Sequence, residues 1–175
     1  MTIDEAMPDL QWIDVLPGRK ILLKGNHDYW WSSIGRVRGA LPPSLRAVQN
    51  DIDEADGVTI AGARGWDMPA AGWCEDLEKD RKIYERERGR LRRSLEQAPA
   101  GRPIVAMMHY PPFVPAVEEF GFHDILKAFG VHAVVFRHYH GPDGAKVFQG
   151  TRDGIRYVFC AADSRDFCPV RLSID

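Results

Sequence analysis

ILLKGNHDYWW, residues Ile21 to Trp31, decides how the rest of the chain is read. An apolar run ends on Gly25 and gives way at once to an amide, an imidazole and a carboxylate: Asn26, His27 and Asp28. Asn and Asp favour turns and helix caps, so this row can be a plain link from strand to helix. It can equally be one wall of a site, because ligands in α/β sheets gather beyond the carboxyl ends of strands. The choice turns on whether other strands end in similar chemistry.

Two others do. IVAMM runs into His109, and AVVF runs into His138 and His140. Taken alone, His109 before Tyr110-Pro111-Pro112 can be a satisfied buried histidine. Three polar clusters at three strand ends favour a site, and metal-assisted hydrolysis is the chemistry they suit. Neutral imidazoles and an amide oxygen are good ligands for Zn, Mn or Fe and add no charge. An ion so held keeps its positive charge to polarise a phosphoryl oxygen and acidify water. His27 beside Asp28 suits a proton-donating imidazole steadied by a carboxylate. Gly25 lets backbone approach the cluster closely.

The bulk properties set the frame. The chain has 175 residues, 45% hydrophobic and 27% charged, with a formal net charge of −2. That length and balance fit one domain, residues 1–175, and advertise neither a nucleic-acid nor a membrane surface. No run approaches the length of a membrane span, and MTIDEAMPDLQW lacks the pattern of a signal peptide. Cys74, Cys160 and Cys168 form no C-x-x-C pair and read as reduced, buried or half-buried thiols in a cytoplasmic protein.

Periodicity gives a coarse element order. A helix is expected over about Asp4–Leu16, a short buried strand at KILLKG, and a helix from about Asp28 to Gly39. AVQND and GVTIAGA read as two strands joined by a turn at Asp56-Gly57. The longest helix, about Glu75–Ala98, carries Leu77, Tyr84, Leu91 and Ala98 at seven-residue spacing. Its acidic start and basic end complement the helix dipole, and its arginines read as a solvated face. PIVAMMH is a strand, HDILKAFG a helix, and HAVVFRHYHG a strand then a loop. AKVFQG, a turn at Arg152-Asp153-Gly154, IRYVFCA and PVRLSI read as closing antiparallel strands. The whole is α/β, with helices layered outside mixed sheets.

GNHD, MMHYPP and HYHG resemble the third, fourth and fifth motifs of the calcineurin-like metallophosphoesterases, written G-N-H-D/E, a strand-end H, and G-H-x-H. GNHDYWW, GARGW, DRKIYERE and VVFRHYHG are similar to a bacterial subgroup labelled Ser/Thr protein phosphatase-like, and this likeness runs over essentially the whole chain. It implies a layered α-β-β-α sandwich and hydrolysis of phosphate mono- or diesters through a two-metal centre of Mn, Fe or Zn. It assigns Asn26, His109 and His138 to one ion and His140 to the other. His27 would protonate the leaving group, with Asp28 orienting it.

Two departures carry consequences. The family's upstream D-x-H and G-D motifs, which supply an Asp, a His and the bridging Asp, have no counterpart here. Asp4, Glu5, Asp9 and Asp14 lie on or beside a helix and do not replace them. The expected outcome is one firmly held ion or none, and impaired activity. The alternative is a non-catalytic module on the same fold with a binding or regulatory role. Without those N-terminal strands, the edge beside ILLKG is left apolar and unpaired, and the chain is expected to pair it with a second copy, to rearrange or to fold marginally. The second departure is Arg137, where the fifth motif has Gly: it strains the backbone or is simply tolerated there, or it places a guanidinium to hold phosphate. Arg64, before Gly65-Trp66, is a further candidate phosphate contact. Tyr29, Trp30, Trp31, Tyr110, Pro112 and Phe113 either line a substrate pocket or pack helix on sheet.

Overall fold

The computed structural model describes residues 1–69, 75–113 and 121–174. Its first helix, α1 (Ile3–Asp14), starts on a capping box: the Thr2 hydroxyl accepts from the Glu5 N–H while the Glu5 carboxylate accepts from the Thr2 N–H. Ala6 and Leu10 form its buried face. At its end the Asp14 carboxylate accepts from the Ser44 N–H at 2.9 Å and the Ser44 hydroxyl at 2.5 Å. That bond ties α1 to the start of β2 (Leu45–Val48), which pairs in parallel with β1 (Lys20–Leu23).

The crossover between them, α2 (Ile34–Ala40), is shorter than the sequence suggests. Residues from Asp28 to Ser33 are not helical; Ser33 caps the helix, accepting from the Arg36 N–H. The Asp28 carboxylate folds back instead and accepts from the Gly25 N–H at 2.6 Å and from Trp30 Nε1 at 3.2 Å. A side chain engaged with upstream backbone closes a tight turn and does not start a helix. KILLKG also departs from expectation, since every residue of β1 is half-buried.

The larger sheet runs β3-β4-β5-β6-β8-β7, with β3 at Ile52–Ala55, β4 at Val58–Ala63, β5 at Ile104–Met108, β6 at Ala133–Phe136, β7 at Gly150–Arg152 and β8 at Ile155–Phe159. β4, β5, β6 and β8 are mutually parallel, and the antiparallel strands β3 and β7 close the two edges. The molecule is therefore mixed α/β. Asp56-Gly57, at φ 50° and 80°, makes a tight hairpin, but it joins β4 to β3 and not to AVQND. The chain has already turned at Asn50 (φ 62°), and IDEA forms a strand that the apolar pattern conceals. The tail also differs. Only residues 150–152 of the AKVFQG-to-Arg152 stretch are extended in the sheet, β8 runs parallel to β6, and PVRLSI forms no strand.

α3 (Leu77–Leu95) packs on β4 with Tyr84, Leu91 and Leu95 buried, whereas Leu77 is 52% exposed. The apolar seam thus starts a heptad later than its spacing suggests. α4 (His123–Ala128) adds Ile125 and Leu126 to the same core, which Val134, Tyr157 and Phe159 complete from the sheet. A smaller core joins α1 to β2 through Ala6, Leu10 and Leu45, and Trp31, Val37 and Ala47 pack beside it. Trp31, Tyr110 and Phe113 are buried, so these aromatics pack the fold; Tyr29 is exposed. Cys160 is half-buried, Cys168 is exposed and both are free thiols, which corrects the expectation for Cys168; Cys74 lies outside the described residues. No helix among the described residues is long and apolar enough to cross a membrane.

β1 pairs with β2 alone among the described strands. Beside it runs a groove of about 550 Å³, lined by Ile13 from α1, Ile21 and Leu23 from β1, and Met107, Val135 and Cys160 from the larger sheet.

Ser94 shows how α3 is locked down. Its buried hydroxyl accepts from the Gly62 N–H at 2.9 Å and donates to the Asp51 carbonyl at 2.6 Å. Ser94→Ala strands both backbone groups, at a cost of about 1–3 kcal/mol. Urea denaturation should show that loss, and an unchanged midpoint would mean that water replaces the hydroxyl at both ends.

Candidate metal centre

Parallel pairing of β5 with β6 sets Met107 opposite Val135, so the residues that follow these strands emerge side by side. His109 is the first residue past β5; Arg137, the first past β6, donates its N–H to the His109 carbonyl at 3.2 Å, and His138 comes next. The ring centroids of His109 and His138 are 4.9 Å apart, and His109 Nε2 lies 3.0 Å from His138 Nδ1. The loop after β1 brings Asn26 from the smaller sheet, with its Oδ1 2.7 Å from the same His109 Nε2. Three donor atoms from three strand ends thus converge.

Gly25 makes that approach possible. A Cβ there would stand 3.0 Å from both Cε1 and Nδ1 of His109 and 3.2 Å from the Asp28 carboxylate. A larger residue there would press on the His109 ring and the Asp28 carboxylate. On the other side, the Arg64 carbonyl accepts from the N–H groups of both His109 and Tyr110 at 3.0 Å, fixing the turn out of β5. Strain is concentrated at His138, whose φ is 94°. Arg137, where strain was one of the alternatives, has no positive φ. A non-glycine residue at such an angle persists only where its surroundings over-determine it, as at functional sites.

The cluster is partly desolvated and ringed by positive charge. Burial, then the neighbouring His138, Arg137, Arg64 and His27, hold His109 down to about 3. Burial also lowers His138, against the upward pull of Asp67. Lys24 is lowered by burial first and then by Arg64. Both imidazoles of the cluster therefore stay neutral at ordinary pH, as metal ligands must be.

Donor atoms that share one divalent ion at bonds of about 2.1 Å stand roughly 3 Å apart. The two measured separations match that spacing, so the residues fit one ion held by Asn26, His109 and His138. A second ion is not served in the same way. His140 is 72% exposed in its side chain, and its Nδ1 lies 3.0 Å from the Asp163 carboxylate. Among the described residues no group of three His, Cys, Asp or Glu side chains is placed to hold a metal. The cluster has two imidazoles and an amide, and no carboxylate completes it.

Other expected roles sort as follows. His27 is exposed, and its Nδ1 faces the Tyr29 hydroxyl at 3.4 Å. Asp28 does not steady it, because that carboxylate is engaged by Gly25 and Trp30. Arg64 stacks on Trp66, its guanidinium 4.7 Å from the ring centroid. The fully buried Glu87 of α3 reaches Arg64 at 3.7 Å and Arg90 at 2.5 Å. Arg137 donates from Nε to His109 Nδ1 at 3.3 Å.

Two carboxylates escaped the sequence reading. Asp67 Oδ2 lies 3.8 Å from His138 Nε2, and its Oδ1 accepts from the Tyr139 hydroxyl at 2.6 Å. A carboxylate behind a ligating imidazole orients the ring and raises its basicity. The other is Asp163, whose Oδ1 lies 3.0 Å from His140 Nδ1. Nothing local in the sequence marks either residue, beyond Asp67 following GARGW directly.

Comparison with protein-family models, with curated proteins and with solved structures finds no match for this chain.

The burial of His109 has a measurable consequence. Its folded value of about 3 lies below the ordinary 6.5, so the unfolded chain takes up the proton first. The stability it contributes is complete above pH 6.5 and is lost as pH falls toward 3. Between pH 6.5 and 4, the wild-type urea midpoint should fall more steeply than that of His109→Gln. Parallel profiles would show that His109 titrates as an exposed histidine does.

Proposed function

We propose that this chain carries a divalent-metal centre for the hydrolysis of phosphate mono- or diesters, on a fold of the calcineurin-like metallophosphoesterase type. The observation that carries this reading is the convergence of Asn26 Oδ1, His109 Nε2 and His138 Nδ1 within 3.0 Å of one another along two contacts, from three separate strand ends. The order GNHD, MMHYPP, HYHG agrees with it. When bound, a divalent ion supplies Lewis-acid polarisation of a phosphoryl oxygen and lowers the pKa of attached water.

The chain's own residues supply the rest. Asn26, His109 and His138 hold the ion without cancelling its charge. Lys24, Arg64 and Arg137 make the surroundings electropositive, which draws a phosphate dianion toward the centre. Trp66 beneath Arg64, and Glu87 behind it, keep that guanidinium in place at the end of β4. His27, exposed on the loop directly after Asn26, would give a proton to a leaving oxygen.

A second reading is favoured by a specific observation: no carboxylate enters the cluster, and His140 points to Asp163. On that reading the chain binds one ion and phosphate without turning substrate over. Calorimetric titration with Mn²⁺ and Zn²⁺, combined with turnover of an aryl phosphate, separates the two. One ion per chain is expected, with Asn26→Ala and His138→Ala each weakening it at least about tenfold. Binding with slow, His27-dependent turnover supports the hydrolase, and binding without turnover supports the regulatory module. Titration that shows no ion at this cluster would overturn both.

The open edge of β1 belongs to the same proposal. With one described partner strand and an apolar groove alongside, β1 is suited to pairing with a second copy. Sedimentation should show a concentration-dependent dimer that Ile21→Lys abolishes. A monomer at all concentrations would remove this part of the reading.

A further inference from the structure

Arg137 touches His109 twice. Its backbone N–H donates to the His109 carbonyl at 3.2 Å, and its Nε–H donates to His109 Nδ1 at 3.3 Å. Among the described residues no carboxylate pairs with this guanidinium, although its side chain lies at the exposed rim of the centre. The hydrogen bond has a direction that chemistry dictates. A guanidinium can only donate, so Nδ1 must accept and carries no proton. A neutral imidazole then bears its single proton on Nε2, the nitrogen that faces Asn26 Oδ1 at 2.7 Å and His138 Nδ1 at 3.0 Å.

The pattern continues through the cluster. His138 Nδ1, as an acceptor from Nε2–H, leaves the proton of that ring on its own Nε2, which faces Asp67 Oδ2 at 3.8 Å. Every proton from Arg137 to Asp67 therefore points the same way. The arrangement conflicts with metal ligation at one atom only. A bond to a cation needs the Nε2 lone pair of His109, so the ring proton would have to sit on Nδ1. There it would meet the Arg137 Nε–H, donor against donor, and the guanidinium would have to withdraw. Its positive charge beside a dication opposes binding in the same sense.

We propose that Arg137 controls cation occupancy of the Asn26–His109–His138 cluster, by holding the His109 proton on the nitrogen that would ligate. A cation enters only in competition with this side chain, and whatever draws Arg137 outward, such as a phosphate group above the centre, favours entry. The inference rests on the reading of the cluster as a cation site, and it deepens that reading by giving Arg137 a role other than simple tolerance or backbone strain.

The test uses the full chain, stripped with a chelator and titrated with Zn²⁺ against a chromophoric competitor. The variants are Arg137→Met, Arg137→Lys and His138→Ala. Loss of one hydrogen bond and one opposing charge should tighten Zn²⁺ binding of Arg137→Met about tenfold or more. Arg137→Lys keeps both a donor and a charge and should stay near wild type. Long-range proton–nitrogen NMR of the imidazoles in the stripped wild-type chain should place the His109 proton on Nε2. Equal Zn²⁺ affinity in wild type and Arg137→Met, with both weakened by His138→Ala, overturns the role of Arg137 and leaves the cation site standing. A His109 proton on Nδ1 overturns it as well. Zn²⁺ binding that is absent from every chain, or indifferent to His138→Ala, overturns the cation site itself and the control of it together.

Discussion

The parallel pairing of β5 with β6 is the constraint on which the rest depends. Two adjacent strands that run the same way must deliver their next residues to the same edge of the sheet, about 5 Å apart. Here they deliver His109 and Arg137, with His138 directly after Arg137, and the core beneath them, from Leu91 and Leu95 of α3 to Val134 and Phe159, holds the strands in register. Once that pair is set, only one more element is needed. The loop after β1 supplies it, and Gly25, with no side chain, lets that loop pass close against the His109 ring.

The electrostatics pull in two directions, and this tension is the chemical character of the site. Burial keeps both imidazoles neutral and available as ligands. Yet Lys24, Arg64 and Arg137 surround them, and the carboxylates within reach, Asp28 and Asp67, stand behind the ligand atoms rather than among them. Such a centre draws anions readily and cations reluctantly. On the reading proposed above, that favours a ligand bringing negative charge with it, and it would weaken the hold on a lone cation relative to three converging donors in neutral surroundings.

Much of this was legible in the residue pattern. The strands ending in Gly25, His109 and Arg137, the long amphipathic α3 and the hairpin turns at Asp56-Gly57 and Asp153-Gly154 all announce themselves through burial periodicity and left-handed turn residues. What stayed hidden had physical causes. IDEA is a strand because it pairs along the edge of β4, and no apolar stripe records that. The delayed start of α2 comes from Asp28 bonding to upstream backbone, a contact that local propensity does not foresee. PVRLSI alternates as a strand should, but alternation does not supply a neighbour to pair with.

The sequence by itself determined the chemistry of the cluster: an amide and imidazoles, each placed after an apolar run. Residue type and strand periodicity suffice for that, since both are local. Only the tertiary structure decided which of the histidines meet. His109 and His138 converge while His140 turns to Asp163, His27 stands apart from Asp28, and the strain falls on His138 rather than Arg137. The reason is that convergence depends on strand register and on side-chain hydrogen bonds between residues 29 to 83 positions apart, which no local pattern encodes.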